Sequence, residues 1–63
     1  MSIHPDDTLI LTNADKIREN LLLVEAAARS GKRQTLGDCF AKAEDLVRWA
    51  ERILAIVRRY QNG

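Results

Sequence analysis

The chain has little of what stabilises or equips most small proteins. Its 63 residues include one cysteine, Cys39, and one histidine, His4. A single cysteine excludes an intrachain disulfide, and one cysteine with one histidine cannot supply the four ligands of a structural zinc site. No metal or cofactor is expected. Charge of one sign is not in excess: the net charge is +1, which excludes a bulk polyanion binder and leaves only local anion sites. Long apolar runs are absent too. The uncharged stretch from Asn20 to Val24 falls far short of the ~20 residues of a membrane span. With Asp6 and Asp7 near the start and no basic region ahead of an apolar stretch, a signal peptide is not expected. The free cysteine then points to the cytoplasm.

Catalytic equipment is equally sparse. His4 lies beside Pro5 near a terminus, where solvation is the ordinary state. Cys39 falls on an apolar stripe, where a thiol packs as a small hydrophobe. There is no nucleophile with a base at hand and no glycine-rich phosphate loop. Glu44 and Asp45 are neighbours in sequence, so on a helix they point apart and cannot face each other as an acid–base pair. The sequence does not read as an enzyme.

What is present is helical periodicity. Hydrophobic residues make up 46% and charged residues 30%, the balance of a folded domain and not of a disordered one. Glycine is scarce, and Gly31 is the main punctuation. Before it, Ile10, Ala14, Ile17, Leu21, Val24 and Ala28 recur at alternating spacings of four and three. After it, Leu36, Cys39, Ala43, Leu46, Ala50, Ile53, Val57 and Tyr60 continue the alternation. Each set forms one stripe of a helix. The expectation is an all-α antiparallel helical hairpin filling residues 1–63 as a single domain. Helix 1 is predicted over about 13–29, a turn over 30–34 and helix 2 over about 35–60.

Boundary signals agree in part. Arg29-Ser30-Gly31 resembles a helix end, with a cation in the last turn and a glycine free to turn left-handed. Thr35 followed by Asp38 resembles a capping box. At the start, Pro5-Asp6-Asp7 looks like a first turn, yet Thr8 to Thr12 is rich in β-branched residues and Asn13 is a good cap. Residues 1–12 are therefore predicted as an extended or separately helical arm.

The apolar surface is too wide for one neighbour. In helix 2, Phe40, Val47 and Leu54 repeat every seven residues along one flank, and Trp49 and Ile56 along the other. In helix 1, Leu22 and Leu23 fall off the stripe. A 63-residue chain buries only ~60% of its unfolded surface, and small domains without disulfide or metal commonly oligomerise. Two hairpins are thus expected to pair, most simply into a dimeric four-helix bundle. Phe40, Val47, Ile53, Leu54, Ile56 and Val57 are the predicted oligomer interface. Candidate partner-binding residues are Leu22, Leu23 and Trp49, the cations Arg29, Lys32 and Arg33 crowding the hairpin tip, and Arg52 on the polar side of helix 2. The tip cations suit a phosphate or an acidic partner; Trp49 could stack on a base but at its spacing suits packing.

From position 41 the chain reads Ala41-Lys42-Ala43-Glu44-Asp45-Leu46-Val47-Arg48-Trp49-Ala50, continuing to Ile53-Leu54-Ala55. This is similar to the second helix of short phage hairpin proteins that sequester cyclic-nucleotide immune signals. Lys42, Glu44, Trp49 and Ala50 match that family's stretch, Asp45 conservatively, and Arg33 stands near the family's arginine ahead of the helix. Gly37 and Ala41 replace its hydroxyl residues, and its tyrosine-containing arm has no counterpart. The resemblance implies a cyclic-nucleotide sponge that evades host defence. In architecture the chain also looks like Rop-type plasmid RNA-pairing regulators, which makes RNA a further candidate partner. The residues themselves favour a homo-oligomer that blocks or sequesters a host protein, as a small phage or mobile-element inhibitor does.

Overall fold

A computed structural model describes residues 3–61 of the chain. Three helices follow in order: α1 over Pro5–Ser30, α2 over Arg33–Gly37 and α3 over Phe40–Gln61. Among the described residues there is no strand, and no helix is long and apolar enough to cross a membrane. The two long helices run antiparallel. Arg59, near the end of α3, reaches Asp6 in the first turn of α1 at 3.0 Å, while Asn20 of α1 donates to the Lys42 carbonyl at the start of α3.

The predicted arm is not separate. α1 begins at Pro5 and runs unbroken to Ser30; Met1 and Ser2 lie outside the described residues. His4 is the N-cap, with an extended backbone, and its Nδ1 accepts from the Asp6 N–H at 3.0 Å. Pro5 then occupies a position that needs no donor, and Asp6 and Asp7 face the positive end of the helix dipole. Against these signals the β-branched Thr8, Ile10 and Thr12 cost only a few tenths of a kcal/mol each, roughly. Asn13, predicted as a cap, is instead buried inside α1, where its Nδ2 donates to the Leu9 carbonyl at 2.8 Å.

Gly31 does end α1 as expected. Its φ is 72° and its N–H bonds the Ala28 carbonyl at 3.2 Å, a left-handed cap that a Cβ would oppose. Ser30 Oγ donates to the Ala27 carbonyl and accepts from the Lys32 N–H. Past Lys32, the predicted turn is helical. Arg33–Gly37 forms the short α2, so Thr35 lies inside a helix and not at a cap. The chain then bends at Asp38–Cys39, where the Cys39 N–H bonds the Leu36 carbonyl at 3.1 Å, and α3 starts at Phe40, five residues later than predicted. Gly37 supplies the reason: glycine in a helix costs ~1 kcal/mol relative to alanine, so the break falls beside it.

The packed seam is also turned from the predicted one. On α1 it runs Ile10, Asn13, Ile17, Asn20, Val24, Ala27; on α3 it runs Leu46, Trp49, Ile53, Ile56, preceded by Leu36 and Cys39. Leu21, Ala28, Ala50, Val57 and Tyr60, expected in the seam, are exposed, and Ala14 lies at its edge. Two causes act together. Turning α3 this way covers Trp49 and Ile56 in place of the smaller Ala50 and Val57, which removes more apolar area from water. The turn is open to α1 because Asn13 and Asn20 each give Nδ2 to a backbone carbonyl, so their burial leaves that donor satisfied.

The result is one layer of helix. The molecule measures 45 × 26 × 15 Å, and the shortest extent is little more than the ~10–12 Å diameter of a helix with its side chains. Ala27 and Ile56 are the only buried hydrophobic residues among those described, and no large side chain is fully buried. A domain core needs two packed layers. This chain supplies one.

Candidate interaction surface

Helical geometry decides which exposed residues share a face. In an antiparallel pair, the flank lying at the same rotation from the seam on each helix falls on the same side of the layer. On α3, Phe40, Ala43, Val47, Ala50, Leu54 and Val57 are spaced three, four, three, four, three, the pattern of a complete packing stripe. It stands about a quarter turn from the seam. On α1 the matching flank carries Leu11, Ala14, Arg18, Leu21, Glu25 and Ala28. One face of the hairpin is therefore largely apolar, and it is open: Phe40 is 68% exposed, and Leu11, Leu21, Val47, Leu54 and Val57 are all exposed.

The opposite face is mostly polar, with Leu9 and Leu23 also open on it. It carries Lys16 from α1 and Asp45, Arg48, Arg52 and Arg59 from α3. Arg48 pairs with Asp45 at 3.4 Å and Arg59 with Asp6 at 3.0 Å. Lys16 Nζ sits 5.8 Å from the centroid of the Trp49 ring. Arg52 is exposed beside them, with no acid within ion-pair distance among the described residues.

The two ends of the hairpin are built differently. At the open end, Tyr60 Oη donates to Asp6 Oδ2 while Arg59 holds Oδ1. The tyrosine hydrogen bond, helped by the Arg59 charge, holds the Asp6 carboxyl below the usual carboxylate range despite the opposing effect of burial. The same bond raises the Tyr60 hydroxyl above its ordinary value. At the tip, Arg29 lies in the last turn of α1 and pairs loosely with Glu25 at 3.7 Å. Lys32 stands between helices and Arg33 opens α2, both exposed. Cys39 is half-buried, with Sγ 4.0 Å from the Leu23 carbonyl.

The structure sorts the predicted site residues into separate groups. Phe40, Val47, Leu54 and Val57 come together on the open face. Ile53 and Ile56, expected between chains, face α1 within the chain, and Ile56 is only 7% exposed. Trp49 joins them in the seam and away from any outer flank. Leu22 and Leu23 are consecutive, so they point ~100° apart: Leu22 lies on the side of α1 away from α3, and Leu23 on the polar face. Both are exposed, but no single partner patch contains them with Trp49. Arg29, Lys32 and Arg33 do gather at the tip.

Sequence reasoning missed the asparagines of the seam and the clasp of Asp6 with Arg59 and Tyr60. Asn13 and Asn20 are seven residues apart, with Ala27 a further seven on. That repeat, at a stripe position, was the available signal. Comparisons with protein-family models, with curated proteins and with solved structures find no match for the chain.

Proposed function

We propose that the protein is a non-enzymatic, homo-oligomeric binding protein. Hairpins join through the open apolar face, and the assembled bundle blocks or sequesters a host factor through protein–protein contacts. The action is that of a small phage or mobile-element inhibitor working in the cytoplasm. One observation carries the oligomeric part: a single helical layer leaves a full-length packing stripe on α3 uncovered, with only Ala27 and Ile56 buried among the described hydrophobic residues. Contiguous apolar surface of this extent marks an interaction site. With one face used for assembly, the polar face and the tip remain for a partner.

Capture of a cyclic nucleotide is the second reading. It is favoured by the exposed Lys32 and Arg33, which carry no ion pair among the described residues, beside the helix-2 resemblance. Sedimentation equilibrium at micromolar concentration tests the first reading; a dimer or larger species is expected, and a folded monomer overturns it. Thermal melts with a panel of cyclic nucleotides decide the second, since a ligand at 100 times its Kd adds ~2.7 kcal/mol to stability. A saturable upward shift with one nucleotide replaces protein blocking by nucleotide capture. Binding to RNA that collapses steeply with salt points instead to phosphate contacts.

A further inference from the structure

We propose that the open face holds a second copy of this chain turned end for end. The two-fold axis lies between the two hairpin layers, at right angles to the helices, level with Lys16 of α1 and the Arg48–Trp49 step of α3. This rests on the oligomeric reading above and adds to it the direction and register of the pairing.

The surface area asks for a partner of this size. A compact 7.1 kDa globule exposes roughly 4,100 Å² by the usual scaling of surface with mass, whereas this chain exposes 5158 Å². The surplus, on the order of 1,000 Å², matches the ~800 Å² per partner that a standard stable interface covers.

The α3 stripe is complementary to itself when reversed. Setting Phe40 opposite the partner's Val57 places Ala43 opposite the partner's Leu54 and Val47 opposite the partner's Ala50, and the symmetry repeats each pair. Every alanine meets a larger side chain, so two α3 helices can approach closely and still fill the space between them. The centre of this arrangement falls between Arg48 and Trp49.

The flank of α1 gives the same level independently. Reversed on itself, it sets Leu11 opposite the partner's Leu21 and Ala14 opposite the partner's Arg18, centred on Lys16. Within one hairpin these two centres are already side by side, because Lys16 Nζ lies 5.8 Å from the Trp49 ring. The Asp6–Arg59 pair fixes the same hairpin register one end away. One axis therefore serves both helices. Arg18 beside a partner alanine has room to keep its head in water, where it already pairs with Asp15.

The other symmetric stacking is worse. An axis along the helices sets the partner's α1 across α3, with Arg18 level with Val47 and Glu25 level with Phe40. Both charges would then lie against the apolar stripe and lose water there, with only their intrachain pairs to Asp15 and Arg29 to offset the loss. In the proposed register Glu25 stays at the rim, level with the partner's Asp7, where solvent screens the repulsion.

Two measurements on the full chain, in a Cys39→Ala background, test the arrangement. Ala43→Cys with Leu54→Cys places thiols ~16 Å apart along one helix, too far for an intrachain disulfide. Mild oxidation is expected to convert most of the protein to a covalent dimer. A nitroxide on Lys32→Cys, read by pulsed dipolar spectroscopy, is expected to give a pair distance of about 45 Å, since the tips lie at opposite ends of the assembly. A dimer by sedimentation whose labels lie within about 25 Å of each other overturns this register and leaves the oligomeric reading standing. A folded monomer overturns both.

Discussion

Two stripes of α3 differ in their fate and hardly at all in their composition. Leu46, Trp49, Ile53 and Ile56 face α1 and are half-buried or buried. Phe40, Val47, Leu54 and Val57, with Ala43 and Ala50 between them, form a stripe of the same spacing a quarter turn away, and its large residues are exposed. Periodicity alone cannot rank them, because each satisfies the rule for a packing face. What separates them is α1. Asn13 gives its amide to the Leu9 carbonyl one turn back in its own helix, but Asn20 can sit in a seam only where the other helix brings it a carbonyl, and Lys42 provides it. The choice of seam on α3 is thus tied to one polar residue on α1. The stripe left over is the one open to solvent.

The largest expected effects come from striking each stripe in turn. Leu54→Glu places a charge in the centre of the open face. If that face is covered in the assembly, the unpaired carboxylate costs several kcal/mol, roughly, and association should weaken by at least ~100-fold. Ile56→Ala strikes the inner seam and should cost ~2–4 kcal/mol whatever the oligomeric state. Denaturant melts at several protein concentrations separate the two. The Leu54 variant should lose the concentration dependence that the proposed assembly would confer on wild type, whereas the Ile56 variant should keep it around a lowered midpoint. Loss of concentration dependence from Ile56→Ala alone would reverse the assignment of the stripes.

Asn20→Leu sharpens the comparison at smaller cost. The substitution removes the bond to the Lys42 carbonyl, which lies 3.2 Å away, and offers the seam an apolar side chain of similar size. Buried polar groups replaced in this way often leave stability unchanged or raised, and what they give up is uniqueness of packing. The expected outcome is a melting midpoint equal to or above wild type, within about 1 kcal/mol, with broadened or doubled amide resonances along α3. A lower midpoint with a single sharp spectrum would mean that Asn20 contributes stability and not register.

The hairpin and its Gly31 turn were legible because a left-handed cap and two long periodic runs are local signals. The start of α1 was also written locally, in His4-Pro5-Asp6-Asp7, but the β-branched residues that follow pointed the other way. Propensity is a weak force, and packing of Ile10 against α3 outweighs it. The seam was less legible for a different reason. Counting apolar residues assigns asparagine to solvent, so the stripe came out one residue late at Ala14, Leu21 and Ala28. The same reading placed Ile53 and Ile56 between chains. Of the two asparagine acceptors, only the Lys42 carbonyl is set by tertiary contact, and no local pattern announces it. The clasp of Asp6 with Arg59 and Tyr60 joins residues more than fifty positions apart, and no local pattern encodes it.

That clasp gives the smallest expected effect and a test of where the two stripes are pinned. It ties the end of α3 to the first turn of α1 and so holds the inner seam in register at its open end. Asp6 ionises more readily in the folded chain than its ordinary 3.8, chiefly through the Tyr60 hydroxyl and then through Arg59. A depressed carboxylate contributes stability above the unfolded value and loses it as pH falls through the folded one. Tyr60 is shifted upward from 10.0 by the same bond, so its contribution is present below that value and lost as pH rises through the folded one. Wild type should therefore melt at a nearly constant temperature between these limits and less stably outside either. Tyr60→Phe removes the shared bond and leaves Arg59 in place. The variant should melt slightly lower at neutral pH, lose the alkaline decline that belongs to Tyr60 and keep a weaker acid one. Tyr60 is largely exposed, so the change should be well below that of Ile56→Ala. Identical melting curves for Tyr60→Phe and wild type from acid to alkaline pH would show that the open end is held by the seam alone.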